Sequence, residues 1–250
     1  MISDTYNKDC VLGMQDWPNK YFGLSIPDPP YFAGPNKKAF YGHTVSPINV
    51  KRINYNPINK WELPSDLFFE QLYRVSDDQI IWGANYYPQI GPVHATPRGI
   101  EELASWIEEH PVGWIVWDKC QTNPSFNDYE LAWTSFGRPT VIFTFMWSGM
   151  LQGKSMLQGH IMQGNKRLNQ KRIHQTQKPF EIYQWSFLNY ADKSKPILDT
   201  HLGSQSSRIV AYKMGFDFVG YELDEQVFNS GNQRFKEQTI LPLFELNERL

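Results

Sequence analysis

A mixed α/β fold with a mostly parallel sheet and helices on both faces follows from two observations. Strand-like and helix-like segments alternate along the 250 residues, the order that builds parallel sheets through crossover connections. Within that order, residues 196–222 read as a strand, a Gly/Ser loop, a helix and a second strand, a unit of Rossmann type.

The elements follow in chain order. "YFGLSI" (21–26) reads as a short strand running into a Pro-rich turn. "SDLFFEQLYRVS" (65–76) reads as a helix capped by Ser65 or Asp66, with Phe68, Phe69 and Leu72 on its apolar side. "QIIWG" (79–83) reads as a buried strand, and "GIEELASWIEEH" (99–110) as an amphipathic helix that stops at Pro111. Strands are expected at 112–117, 129–136 and 139–145. Pro179 starts a helix over 180–191, 196–199 is a short buried strand, 208–215 a helix ended by Gly215, and 216–222 the next strand. Residues 146–175, rich in Gly, Gln, Met, Lys and Arg, show no steady period and read as an insert on the scaffold.

Composition narrows the function. Hydrophobic residues make up 41% and aromatic residues 15% of the chain, enough for one substantial core. No run of about 18 apolar residues exists to cross a membrane, and the polar "MISDTYNKDCV" start lacks the apolar stretch of a signal peptide. Two cysteines, Cys10 and Cys120, make a disulfide scaffold an unsuitable reading and favour a reducing, cytoplasmic setting. Neither has a partner at zinc-ligand spacing, and no metal is expected. The net charge is −2, but its distribution is uneven. Residues 131–180 contain no acid and carry Arg138, Lys154, Lys166, Arg167, Lys171, Arg172 and Lys178. Residues 29–61 also contain no acid and carry Lys37, Lys38, Lys51, Arg52 and Lys60. Two long acid-free stretches in a weakly acidic chain are the footprint that phosphates select.

Three groups of residues carry chemistry. In "SIPDPPYF" (25–32), two prolines stiffen a turn and remove two backbone donors, leaving carbonyls to accept. Asp28 and the Pro29 carbonyl can accept from one amino group while Tyr31 stacks on the ring bearing it; the plainer reading is a rigid turn with a surface acid. In "ILDTHLGSQSS" (197–207), a loop between strand and helix brings backbone N–H groups to a ligand, and Gly203 permits close approach. Asp199 ends that strand and either binds an ammonium or orients the loop. Glu222 ends the following strand, where an acid takes both hydroxyls of a ribose; alone it reads as a surface carboxylate. Thr176, Gln177 and Lys178 in "HQTQKPFEIY" (174–183) stand at a helix N-terminus, as an ordinary cap or as a site for a carboxylate. Asp9, near the end of a short N-terminal strand, can accept from an adenine, though in isolation it reads as a helix N-cap.

Taken in order, Asp28-Pro29-Pro30-Tyr31, the basic stretch, "TQKP" and the Gly loop with Glu222 resemble the β class of amino-group DNA methyltransferases. The resemblance runs from Asp9 to Glu222. It implies a permuted Rossmann-like, S-adenosylmethionine-dependent methyltransferase fold in one structural domain. Residues 1–145 would form the catalytic half, 146–175 a target-recognition insert and 176–250 the cofactor half. By this resemblance Asp28, Pro29, Pro30 and Tyr31 are catalytic, and Asp9, Thr176, Lys178, Pro179, Asp199, Gly203, Ser204 and Glu222 hold S-adenosylmethionine. The chain departs from the family pattern at Gln205, where a glycine or small residue is usual, so the side chain is expected to crowd the ligand or shift the loop. Pro27, unusual at a strand end, is expected to change the strand's angle.

The implied activity is N6-methylation of an adenine swung out of duplex DNA, with N4-methylation of cytosine or a silent DNA-binding relative as alternatives. Lys154, Lys166, Arg167, Lys171 and Arg172 would contact DNA, with the 33–60 loop sharing recognition. A bacterial or phage-encoded, nucleoid-associated protein is implied. A homodimer and a cognate restriction endonuclease are left open as partners.

Overall fold

The computed structural model describes residues 1–31, 63–120, 127–148, 151–174 and 176–239. Most of the acid-free stretch 29–61, with the 33–60 loop, lies outside the described residues, as does Gln175. The strands are β1 (Ser3–Tyr6), β2 (Phe22–Ser25), β3 (Ser76–Trp82), β4 (Trp114–Asp118), β5 (Tyr129–Thr134), β6 (Val141–Thr144), β7 (Trp147–Ser148), β8 (Leu151–Gln152), β9 (Ile197–Asp199) and β10 (Phe218–Tyr221). The helices are α1 (Cys10–Met14), α2 (Asp66–Val75), α3 (Gly99–Glu109), α4 (Phe180–Tyr190), α5 (Ser206–Met214) and α6 (Glu225–Thr239).

Eight of these strands form one sheet in the order β1-β10-β9-β2-β3-β5-β4-β6. From β1 to β3 every pairing is parallel. β5 is antiparallel to both its neighbours, β3 and β4, and β6 is parallel to β4. The sheet is therefore mixed α/β and mostly parallel, with one reversed strand.

Side-chain alternation sends successive residues to opposite faces. Ile80, Trp82, Ile197 and Phe218 pack with Ile182 and Phe187 of α4 and Val210 of α5. Ile81, Leu198 and Val219 pack with Met14 of α1 and Phe68, Phe69 and Leu72 of α2. Leu103 and Trp106 of α3 cover Val116 and Leu131 farther along the sheet. The reading of 79–83 as a strand starts three residues late, because β3 follows α2 without a loop. Ser76 closes the helix by donating to the Leu72 carbonyl at 2.6 Å, and its hydroxyl also meets that of Ser25 on β2 at 3.1 Å.

This topology makes the site. β2 and β9 are neighbours at the centre (Ser25 opposite Leu198). From β2 the sheet continues through β3, and from β9 it continues the other way through β10. Loops leaving the carboxyl ends of two such strands diverge and open a crevice, the place where ligands bind in α/β sheets. Pro27 does not turn β2 away: its carbonyl accepts from Trp82 N–H at 3.0 Å, extending the pairing toward β3 by one bond.

The 146–175 segment holds the β7–β8 pair and two single turns of tight helix, Met156–Gln158 and Lys166–Leu168. It is pinned at its base, where the buried Trp147 indole donates to the Gln177 carbonyl at 2.7 Å. Among the described residues, no helix is long and apolar enough to cross a membrane.

Candidate active site

A cavity of about 230 Å³ lies over the carboxyl ends of β2 and β9. Asp28 to Tyr31 form one wall and residues 200–204 another. Asp28 divides its two carboxylate oxygens between separate tasks. Oδ2 accepts from the Lys178 ammonium at 2.6 Å, with side-chain exposures of 16% and 4%, so water screens the pair little. Oδ1 is buried and has no hydrogen-bond partner among the described residues. Burial pushes the Asp28 carboxyl up and the Lys178 ammonium opposes that rise. A buried acceptor left without a donor costs about 1–3 kcal/mol, and Asp28 is one of the residues lining the cavity.

The Pro29 carbonyl already accepts from the Tyr87 hydroxyl at 2.8 Å, which fixes the turn and leaves its second lone pair for another donor. Tyr31 lies parallel to Tyr86, with centroids 5.2 Å apart and planes 6° apart. Its ring rests on Gly83, where a Cβ would lie 2.2 Å from Tyr31 Cδ1. Gly83 also has φ +68°, so both space and backbone require glycine there.

The Gly loop is held from beneath by two acids. Asp199 is buried and accepts from the Ser207 hydroxyl and from His201 N–H at 3.0 Å. Of the two roles open to it, the structure supports orienting the loop, because Asp199 does not line the cavity. Burial raises its carboxyl to about 7. Glu222 lines the cavity and accepts from Gly203 N–H and Asp224 N–H, both at 2.9 Å. Gly203 has φ +49° and Ser204 follows it on the cavity wall.

The expected crowding by Gln205 does not occur. Gln205 adopts the left-handed conformation (φ 59°, ψ 29°), which explains why a glycine suits this position. That conformation turns the side chain out of the cavity and onto α6. There Nε2 donates to Asn232 Oδ1 at 3.1 Å and Oε1 accepts from Arg208 at 2.9 Å.

Other expected residues fall as follows. Asp9 lines the cavity and caps α1, accepting from Leu12 N–H at 3.0 Å. Thr176 lines the cavity with its hydroxyl 3.1 Å from His174 Nδ1. Pro179 is buried ahead of α4, away from the cavity wall. Lys178, expected to help hold S-adenosylmethionine, lines the cavity and places its ammonium on Asp28 and, at 3.1 Å, on Glu130. Lys154, Lys166, Arg167 and Lys171 are exposed. Arg172 is half-buried, its guanidinium 5.5 Å from the Trp147 ring centroid.

Further contributors escaped the sequence reading. Glu130 on β5 bridges Lys178 and, at 3.2 Å, Lys119. Burial would raise its carboxyl, but the two ammonium groups outweigh burial and hold it at about 2. Arg234 of α6 is buried under the loop, donating to the Ser204 carbonyl at 2.7 Å and the Ser206 hydroxyl at 2.9 Å. His174 and His201 line the cavity, and burial lowers each to about 4. Among the described residues, no cluster of His, Cys, Asp and Glu could hold a metal ion.

The DNA methylase family model for N6 and N4 amino-group enzymes matches residues 133–233. The chain is similar to the amino-group DNA methylases over that stretch. It is 22% identical over 248 residues to the type II methyltransferase M.HinfI of Haemophilus influenzae, covering 92% of this chain and 67% of that protein. The fold is similar to that of a Thermus thermophilus protein described as a DNA modification methylase and solved with S-adenosyl-L-methionine. The TM-score is 0.51 at 11% identity, over 95% of this chain and 94% of the other. It is equally similar to the cytosine-N4-specific PvuII DNA methyltransferase, with TM-score 0.51 at 12% identity, over 96% and 89% of the two chains. The methylase match spans Thr176, Lys178, Asp199, Gly203 and Glu222; Asp28 to Tyr31 lie N-terminal to it.

Proposed function

We propose that this methylase transfers the methyl group of S-adenosylmethionine to the N6 amino group of an adenine swung out of duplex DNA. The observation that carries the reading is the buried, partnerless Oδ1 of Asp28 beside the Pro29 carbonyl and the Tyr31 ring. An exocyclic amino group offers two N–H donors in the plane of an aromatic ring, which suits two acceptors flanking an aromatic plate. S-adenosylmethionine fits the remaining wall: the 200–204 backbone, Asp9 and Glu222 present acceptors and close approach, with Phe68 as apolar contact.

Bound there, S-adenosylmethionine supplies an electrophilic methyl on a sulfonium. The residues of the chain do the rest by placement. Asp28 Oδ1 and the Pro29 carbonyl accept from the amino group and aim its nitrogen, and Tyr31 stacks on the base. Catalysis is then largely positioning and electrostatics. The exposed Lys154, Lys166, Arg167 and Lys171 would take phosphates, holding the duplex over the crevice. The preference for adenine rests on the aspartate in Asp28-Pro29-Pro30-Tyr31, the form that goes mostly with adenine in the β class.

Methylation-sensitive sequencing of DNA from cells expressing the protein tests the reading. N6-methyladenine at a fixed sequence is expected. N4-methylcytosine at that site would overturn the adenine assignment, and unmodified DNA together with no transfer in vitro would overturn the reaction.

A further inference from the structure

Four alternating charges run inward from β4 to the amino-group site. The Lys119 ammonium lies 3.2 Å from Glu130 Oε1, Glu130 Oε2 lies 3.1 Å from the Lys178 ammonium, and Lys178 lies 2.6 Å from Asp28 Oδ2. The chain of charges is neutral overall, which a poorly solvated cluster requires. Its members differ in how firmly they are held. Asp28 and Lys178 sit on irregular segments, whereas Glu130 sits on β5, paired directly with Trp117 of β4. Trp82 of β3 places its ring 5.0 Å from the Lys178 ammonium, and Trp117 places its ring 5.9 Å from that of Lys119. Glu130 is therefore the fixed point of the network, and sites anchored on strands hold geometry more closely than sites on loops.

One ammonium serving one carboxylate would draw charge onto Oδ2 and leave Oδ1 a weaker acceptor. Sharing that ammonium with a second carboxylate offsets the pull. We propose that Glu130 is a positioning residue for the target amino group: by sharing Lys178 with Asp28 it keeps Oδ1 free of that ammonium and strong as an acceptor. The proposal rests on the methyl-transfer reading for its purpose, but its electrostatic part stands without it. Among the described residues, besides Lys178 and Glu130, the titratable groups near Asp28 are Tyr31, Tyr87 and Tyr183, with Asp199 beyond them. Burial raises all three tyrosines, so they stay neutral at pH 7, and it lifts Asp199 to about 7.

The test uses the full-length protein and Glu130→Gln, which keeps shape and removes charge, with Glu130→Asp as the conservative variant. Single-turnover transfer to duplex DNA should slow about ten-fold or more in Glu130→Gln, with KM for DNA and S-adenosylmethionine within about three-fold. The acid limb of the rate profile should move to lower pH, because Asp28 is relieved of a neighbouring negative charge and has the whole of Lys178. Glu130→Asp should recover most of the rate. Carboxyl-carbon NMR titration of Asp28 in the ligand-free protein should show the same downward shift. An unchanged rate and unchanged acid limb in a folded Glu130→Gln protein would overturn the proposal while leaving methyl transfer intact. Absence of transfer by the wild type, with the Asp28 titration still shifted by the substitution, would overturn the methyl-transfer reading instead. If Glu130→Gln fails to fold, Lys119→Met takes its place. Release of Glu130 toward Lys178 should then move the Asp28 titration upward, and no movement would overturn the proposal.

Discussion

Asp28 uses its two oxygens differently: one is tied to Lys178, and the other is buried with no hydrogen-bond partner among the described residues. Asp28→Asn separates the two roles. The amide oxygen still accepts from Lys178, which turns the amide NH2 toward the incoming amino group, donor against donor. Transfer should fall by about 10³-fold or more, the scale for removing a group that holds the reacting atom. Affinity for S-adenosylmethionine, measured by calorimetry, should stay within a few-fold; a parallel loss would place Asp28 on the cofactor side instead. His201 allows a second prediction. Burial depresses it from 6.5 to about 4, with Asp9 pulling the other way. The unfolded chain then takes up a proton as pH falls through 6.5, while the folded chain resists until about 4. The stability contributed by neutral His201 is full above pH 6.5 and is lost as pH falls toward 4. Between about pH 7 and pH 5 the loss is about 2 kcal/mol from this group. Urea unfolding of His201→Gln at the two pH values should show a drop smaller by about that amount, since the other titrating groups cancel in the comparison.

At the scale of elements, the Gly loop depends on α6. Gln205 reaches Asn232 and rests over Gly231, where a Cβ would lie 2.7 Å from Gln205 Cγ and 2.9 Å from Nε2. Gly231→Ala should therefore destabilise the protein by about 2 kcal/mol despite the helix-propensity gain of about 1 kcal/mol for alanine. In a Gln205→Gly background the same change should become neutral or stabilising. A urea-unfolding double-mutant cycle reads the coupling, and additive effects would show that the two side chains do not meet. Neither residue lines the cavity, so cofactor affinity should not follow stability. α6 also shows why part of the molecule was illegible in the sequence. Its buried face is Gly231 and Arg234, so no apolar stripe marks it, although it is a 15-residue helix. By contrast α2, with Phe68, Phe69 and Leu72 on one side and Ser65 accepting from Phe68 N–H, announces itself. The same logic divides the site. Asp28 to Tyr31, Gly203 and Glu222 are read from short contiguous patterns. Glu130 belongs to no pattern, and only the pairing of β5 with β4 and β3 brings it to Lys178. The direction of the Gln205 side chain is not legible in the sequence, because residue type alone does not show which way an αL residue points.

At the scale of the whole molecule, a chain with net charge −2 must present a cationic surface to bind duplex DNA. The described part of that surface is concentrated in residues 151–172, where Lys154, Lys166, Arg167 and Lys171 are exposed and no acid intervenes. This segment begins beyond β6 and returns through Lys178 to Asp28, so the cationic surface and the proposed amino-group site are joined by a short stretch of chain. Lys166→Gln/Arg167→Gln should lower DNA affinity about equally for target and random duplexes. For every phosphate that is no longer neutralised, the slope of log affinity against log salt should fall by about 0.9. The double variant should thus show a slope shallower by about 2 in a fluorescence titration from about 50 to 200 mM salt, with binding of S-adenosylmethionine unchanged. An unchanged slope would show that these two residues do not meet phosphate. Selective weakening on the target duplex alone would assign them to reading bases instead.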